Sequence, residues 1–158
     1  GHILRIPPER VHPVARMAKE VRAKLPANAV VQGIPSFDGI YRPQAYYLPG
    51  AVIADTFDAA TFAADPARFA DTHNLILNGF ATPDPALGYA VFLHLGVTHV
   101  IVGRHESDFL REHANSDAGL QKFANPGYFG PVYVSKDVSL YALKPLANPP
   151  RLQLKPPP

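Results

Sequence analysis

The clearest periodic signal in the chain is an apolar stripe between residues 11 and 25. Apolar residues recur there at spacings of three and four, the period of an amphipathic helix; they are Val11, Val14, Ala18, Val21 and Leu25. Pro26 follows directly and predicts the end of the helix, because a residue before proline disfavours helical dihedral angles. A short β-type run over residues 29–33 comes next, so this part of the sequence predicts a helix followed by a strand.

A second helix–strand pair is predicted between residues 84 and 103. Asp84 is a suitable N-cap and Pro85 is favoured at the first helical position, while Gly96 is typical of a helix end. The run Val97–Gly103 is apolar and rich in β-branched residues. Such a run is typical of a strand covered on both faces, so we expect this strand at the centre of a sheet.

The remaining patterns complete an α/β order of elements. Asp65 and Pro66 predict a helix start, whereas residues 75–77 fit either a strand or a buried turn. Two further helices are expected, at about 107–114 and 116–124, followed by a β-hairpin with strands at 131–134 and 139–143. The predicted fold class is therefore α/β, with a mixed sheet, flanking helices and a hairpin at the end.

The distribution of proline indicates the domain organisation. The chain has 158 residues, of which 18 are proline, and many of these lie near its ends. Its length fits one domain, since domains commonly hold about 100–200 residues. We therefore expect a single domain over residues 3–144 and a proline-rich tail over 145–158, with residues 1–2 resembling the remnant of an expression tag. No apolar run reaches the roughly 18 residues that a membrane span needs.

Composition and motifs remove several classes of function. The sequence has no cysteine, so disulfide and thiolate–metal frameworks are excluded. Its net charge of +2 comes from interspersed charges rather than a basic stripe, and no nucleic-acid partner is expected. The sequence also lacks the glycine-rich nucleotide motifs, the nucleophile elbow and the zinc-protease motif. It therefore predicts no catalytic residue and no cofactor.

Histidines cluster in one part of the chain and raise the question of a metal site; they are His94, His99, His105 and His113. His99 and His105 fall near opposite ends of the predicted strand, which at about 3.3 Å per residue places them roughly 20 Å apart. One metal ion cannot bind both, since metal sites need converging ligands. The sequence therefore predicts no metal site, and His94 and His99 are expected to fill a half-polar boundary of the core.

The strongest candidate for a ligand site is the segment Gly103–Asp108. It follows the carboxyl end of the predicted central strand and opens a helix, and ligands in open α/β sheets favour that edge. Arg104, His105 and Ser107 are the candidate ligand-binding residues, for a phosphate or carboxylate at the helix N-terminus. The alternative is that Glu106, Ser107 and Asp108 only cap the helix and complement its dipole.

A second candidate is the aromatic and turn-rich segment 36–47. Asp38, Arg42, Tyr46 and Tyr47 combine aromatic rings with polar groups that could stack on a sugar or contact another protein. The alternative is a loop whose tyrosines pack over the edge of the core. Asp55 and Asp58 are also close in sequence, but helix capping explains them better than a glycosidase pair does.

Four segments in order resemble a known family. They are the helix leading into Leu25–Val31, the segment Tyr46–Gly50 with Asp55 after it, the segment Leu93–Val102, and the pair Val132–Val134 and Ser139–Leu143. This order, over roughly residues 11–143, resembles the soluble C-terminal region of membrane glycosyltransferases of the GT-C class. That class includes dolichyl-phosphate-mannose-protein mannosyltransferase-like and bacterial aminoarabinose-transferase-like proteins.

The resemblance implies that the parent chain is a membrane transferase using a lipid-linked sugar donor, with this domain on the periplasmic side of a bacterial inner membrane. In the family the catalytic carboxylates belong to a loop near the start of the membrane region, so none carries over to a residue here. The domain would be a non-catalytic accessory that binds the acceptor, shapes the active-site mouth or mediates assembly, and its partner would be the membrane-embedded remainder of its own chain. A sugar or glycan acceptor is a candidate ligand.

Two other interpretations stay open. One is a free-standing α/β ligand-binding protein or small enzyme that uses the edge at residues 104–108. The other is an interaction module that exposes the segment Tyr41–Tyr47 to a partner. Hydrophobic spans encoded before Arg5 would favour the accessory domain, and their absence would favour the first of these alternatives.

Overall fold

A mixed sheet lies at the centre of the computed structural model, which describes residues 13–35, 48 and 63–154. The elements are α1 (Pro13–Val21), β1 (Val31–Gln32), α2 (Pro66–Ala81), α3 (Pro85–His94), β2 (His99–Gly103), α4 (Arg104–His113), β3 (Phe129–Val134) and β4 (Val138–Leu143). Short 3₁₀ helices follow α1 at Arg22–Lys24 and precede β3 at Ala118–Ala124.

The sheet contains one parallel pair and two antiparallel pairs in the order β1-β2-β4-β3. β1 runs parallel to β2, with Val31 opposite His99, and β2 runs antiparallel to β4, with Gly103 opposite Val138. The carboxyl ends of β1 and β2 and the turn of the β3–β4 hairpin therefore lie at one edge. The chain has the predicted α/β fold, with a mixed sheet and a hairpin as its last two strands.

Each face of the sheet packs against helices. On one face, α1 buries Val14, Met17 and Val21 against a strand cluster formed by Val31, Ile101, Val138 and Leu140. On the other face, α2, α3, α4 and the second 3₁₀ helix cover Val100 and Phe129. Adjacent residues Val100 and Ile101 thus belong to opposite cores, which is the alternation that a strand imposes. The prediction that β2 is central and covered on both faces is confirmed.

Aspartate–proline pairs start α2 and α3 as predicted. The Asp65 carboxylate accepts a hydrogen bond from the Arg68 main-chain nitrogen at 3.1 Å, and that of Asp84 accepts one from Ala86 at 3.0 Å. These bonds satisfy donors that the first turn of a helix leaves open. Gly96 follows α3 with φ 76°, a left-handed conformation that favours glycine.

Three local expectations differ from the structure. Residues 75–77 form part of α2, because Ile76 and Phe80 lie one helical turn apart and both face the core. α4 starts at Arg104 rather than near residue 107, since Glu106 bonds back to Gly103 and extends the first turn. His94 is exposed, because the buried residues of α3 run over 88–92 and end before it, whereas His99 is buried as expected.

A buried lysine joins the second 3₁₀ helix to α2. Lys122 is only 4% exposed, and its Nζ donates to the carbonyl oxygens of Phe80 at 2.7 Å and Gly119 at 3.0 Å. Its ammonium group also lies 4.3 Å from the centroid of the Phe123 ring. Burial lowers the pKa of Lys122 to about 7. The side chain therefore holds the end of α2 against the segment that precedes β3.

The proline-rich segment that follows β4 has no helix or strand over residues 144–154. Leu146 nevertheless packs against the core cluster of the α2–α3 face. No helix among the described residues is both long and apolar enough to cross a membrane. The predicted boundaries at residues 3, 144 and 145 stay predictions.

Candidate functional site

A cleft opens at the sheet edge where β2 ends, and we call it the sheet-edge cleft. One lobe, of about 450 Å³, lies between the start of α1, the first turn of α4 and the hairpin turn. A second lobe, of about 330 Å³, continues along the other side of Arg104. The two lobes share Gly103, Arg104, Asp137 and Val138. The cleft therefore lies at the carboxyl end of the central strand, where open α/β sheets commonly bind ligands.

Two side chains of α4 fix the floor of this edge. The Glu106 carboxylate is 2% exposed and accepts hydrogen bonds from the main-chain nitrogens of Gly103 at 3.0 Å and Ile34 at 3.2 Å. His105 Nε2 lies 2.8 Å from the Ile34 carbonyl oxygen, and since that oxygen can only accept, Nε2 carries the hydrogen. Together these bonds tie the first turn of α4 to the chain that leaves β1.

Ser107 contacts the segment after α4 rather than the cleft alone. Its hydroxyl donates a very short hydrogen bond to the Asp117 carboxylate and accepts one from Arg111 at 3.0 Å. Arg111 also pairs with Asp108 at 2.9 Å. The Ser107 hydrogen bond, with a further contribution from the Arg111 charge, holds the pKa of Asp117 below its ordinary value against some desolvation. Ser107 therefore serves mainly to anchor the turn after α4.

Arg104 and Lys136 are the cationic side chains of the cleft that remain available to a ligand. Arg104 is exposed and lines both lobes, and Lys136 lines the second lobe from the hairpin turn. No hydrogen bond or ion pair joins either side chain to another residue in the part of the chain that the structure describes. A guanidinium and an ammonium group that line the same cleft can bind a carboxylate, phosphate or sulfate group.

The structure thus separates the candidates of the first segment. All three residues line the cleft, but His105 and Ser107 also make hydrogen bonds within the domain, whereas the Arg104 side chain makes none in the part of the chain that the structure describes. The alternative of helix capping holds for Glu106, which bonds the N-terminal main chain, but not for Asp108, which pairs with Arg111.

The candidates of the aromatic segment lie outside the described residues; they are Asp38, Arg42, Tyr46 and Tyr47. Asp55 and Asp58 lie outside them as well. Among residues 13–35, 48 and 63–154, no three histidine, aspartate or glutamate side chains are grouped so that they could bind a metal ion. His99 and His105 stand at opposite ends of β2, as the strand argument predicted.

Lys136 is, together with Asp137, a cleft residue that sequence reasoning missed. It lies in the turn between β3 and β4, far along the chain from Arg104. The hairpin itself was predicted, but only the antiparallel pairing of β4 with β2 brings its turn to the carboxyl end of β2. The sequence signal that could have located Lys136 was a polar turn that directly precedes a strand paired with the central strand.

Comparison with known proteins gives no relative. No protein-family model matches the chain, and no curated protein or solved structure is significantly similar to it.

Proposed function

We propose that this chain is a non-catalytic accessory domain of a membrane-bound glycosyltransferase, and that its sheet-edge cleft binds an anionic or glycan group of the acceptor or the lipid-linked donor. The observation that carries the proposal is the position, in the fold, of the segments that resemble the GT-C family. Three of the four segments form α1 with β1, the end of α3 with β2, and the β3–β4 hairpin, while the fourth, Tyr46–Gly50 with Asp55, lies outside the described residues apart from Leu48. The resemblance therefore concerns the scaffold that builds the cleft, not scattered surface positions.

The chemistry of the cleft supports a binding role. Arg104 and Lys136 supply two cations, while Asp137 supplies a carboxylate in the same lobe that can accept hydrogen bonds from sugar hydroxyls. Two titratable groups at this edge are already engaged, since Glu106 and His105 bond to the main chain of Ile34. A domain of this kind would position a substrate group for a reaction that the remainder of the parent chain performs.

Two measurements test the proposal. The first is the genomic reading frame that contains this sequence, which should encode several hydrophobic spans before Arg5. A frame without spans would refute the membrane parent. It would favour the free-standing ligand-binding protein, which the open cleft at the end of β2 supports equally.

The second measurement is an NMR titration with sugars, polyprenyl-phosphate headgroup analogues and simple anions. Binding in the cleft should shift amide signals of Gly103–Ser107 and of Lys136, and Arg104→Gln should abolish the shifts. Arg68→Gln is the matched control, because Arg68 is an exposed arginine of α2 outside the cleft. Shifts that survive Arg104→Gln, or no shifts across the panel, would contradict a ligand role for the cleft.

A further inference from the structure

An apolar groove runs between α2 and α3, and we call it the α2–α3 groove. Its volume is about 410 Å³, and its apolar walls include Leu75 and Ala81 from α2 and Leu87 and Val91 from α3. Leu152, from the proline-rich segment after β4, lines the same groove. Leu87 remains 44% exposed, so the groove is only partly covered.

The proline-rich segment is held there by apolar contact alone. Leu146 packs on the core and Leu152 lines the groove, whereas Leu154 is 59% exposed. In the described part of the chain, no hydrogen bond or ion pair joins residues 145–154 to the rest of the domain. Between residues 147 and 154, only Pro149, Pro150 and Leu152 are half-buried, so little contact holds this segment to the domain.

We propose that the α2–α3 groove is a docking site for a short proline-rich segment, and that residues 149–154 of this same chain occupy it as a reversible strap. Pro149 and Pro150 restrict the chain to extended conformations, so docking Leu152 costs little further conformational entropy. Leu146 anchors the segment nearby, which gives Leu152 a high effective concentration at the groove. Both arguments favour the chain's own tail over a separate protein.

The absence of cysteine allows a direct test in the full chain. Gln153 is exposed, and Gln153→Cys accepts a single spin label next to Leu152. We expect the label to broaden the amide signals of Thr82 and Leu87, which lie at the groove. Adding Leu152→Ser should weaken the broadening, and adding Leu154→Ser, the matched control, should leave it unchanged. Leu87→Ser, on the groove side, should weaken it in the same way as Leu152→Ser.

Several outcomes would overturn the proposal. Two results would show that the tail does not dock in the groove. One is that the Gln153→Cys protein shows no broadening, and the other is that its broadening persists with both Leu152→Ser and Leu87→Ser. A mixed sample shows whether the tail comes from the same chain or from a second copy. In this sample one protein carries the isotope but no spin label, and the other carries the spin label but no isotope. Broadening in that mixture would mean that a second copy supplies the segment and would refute the intramolecular strap.

Discussion

The carboxylate of Glu106 and the main-chain nitrogen of Ile34 lie 3.2 Å apart, although 72 residues separate them in the sequence. The same carboxylate bonds Gly103 in its own first turn. One buried side chain therefore connects the chain leaving β1 with the chain leaving β2, and both bonds are shielded from water. The geometry of the sheet-edge cleft depends on this connection.

Glu106→Gln is expected to destabilise the domain. An amide offers one carbonyl oxygen where the carboxylate offers two, so a buried main-chain N–H of Gly103 or Ile34 loses its acceptor, at a cost of about 1–3 kcal/mol. Urea unfolding measures the free energy. Asp108→Asn is the matched control, because Asp108 is an exposed acid of the same helix. Equal stability of the Glu106→Gln protein and the parent would contradict this account of the edge.

Lys122 is expected to make stability rise with pH above neutrality. Its pKa is about 7 in the folded domain and near 10.5 when exposed, so the unfolded chain binds the extra proton between these values. The free energy of unfolding should therefore increase from about pH 7 towards pH 10. The neutral amine keeps two N–H groups, which suffice for the carbonyls of Phe80 and Gly119.

The measurement for Lys122 is the difference in unfolding free energy between the parent protein and Lys122→Met at a series of pH values. Methionine removes the charge and leaves both carbonyl oxygens without this donor. The parent's advantage over the variant should grow as pH rises above 7. A difference that is constant with pH would show that Lys122 keeps its proton in the folded domain.

Acidification is expected to weaken the fold partly through His99. Burial lowers the pKa of His99, so below about pH 6.5 the unfolded chain takes up a proton that the folded chain resists. The unfolding free energy of the parent protein should thus fall as the pH is lowered from 7 to 5. The unfolding free energy of the His99→Gln protein should fall less steeply over the same range. His94→Gln provides the control, since His94 is exposed. Burial also lowers the pKa of His73, which contributes equally in every variant.

Gly119→Ala is expected to destabilise the contact between the second 3₁₀ helix and α2. A Cβ atom at position 119 would overlap the carbonyl oxygen of Ala81, and a main-chain group cannot move aside as a flexible side chain does. Forcing an extra methyl group into packed structure costs about 1–3 kcal/mol. Gly130→Ala is the control, because its nearest neighbour would be Lys144 Cε at an ordinary 3.5 Å. Thermal unfolding should separate the two variants.

The sequence predicted those parts of the fold that depend on local chemistry. Asp65 and Asp84 identified helix starts because an N-cap acts within three residues, and the apolar run of β2 identified the central strand. Lys122 could not be identified as a core residue. Lysine is almost never fully buried, and the carbonyl oxygens that accept from it belong partly to α2, 42 residues earlier.

The candidate site was predicted only in part, because contacts between distant parts of the chain place some of its residues. Arg104 follows the central strand in the sequence, so the strand edge located it. Lys136 depends on the pairing of β4 with β2, and the roles of His105 and Ser107 depend on the positions of Ile34 and Asp117. Contacts of this kind join distant parts of the chain, and the periodicity of apolar residues along the sequence does not predict them.

The strand order has a consequence for how the domain assembles. The hydrogen bond that closes the hairpin turn joins Ser135 and Val138, which are three residues apart in the sequence. The hydrogen bond between Val30 and Thr98 joins residues that are 68 apart. Loop-closure entropy therefore favours the C-terminal half as the folding nucleus, with β1 joining late. Synthesis on the ribosome runs in the opposite order. The apolar stripe of α1 emerges before the strands that cover it, and its core cluster is complete only when Val138 and Leu140 of β4 have been made, so part of its apolar surface stays exposed until then.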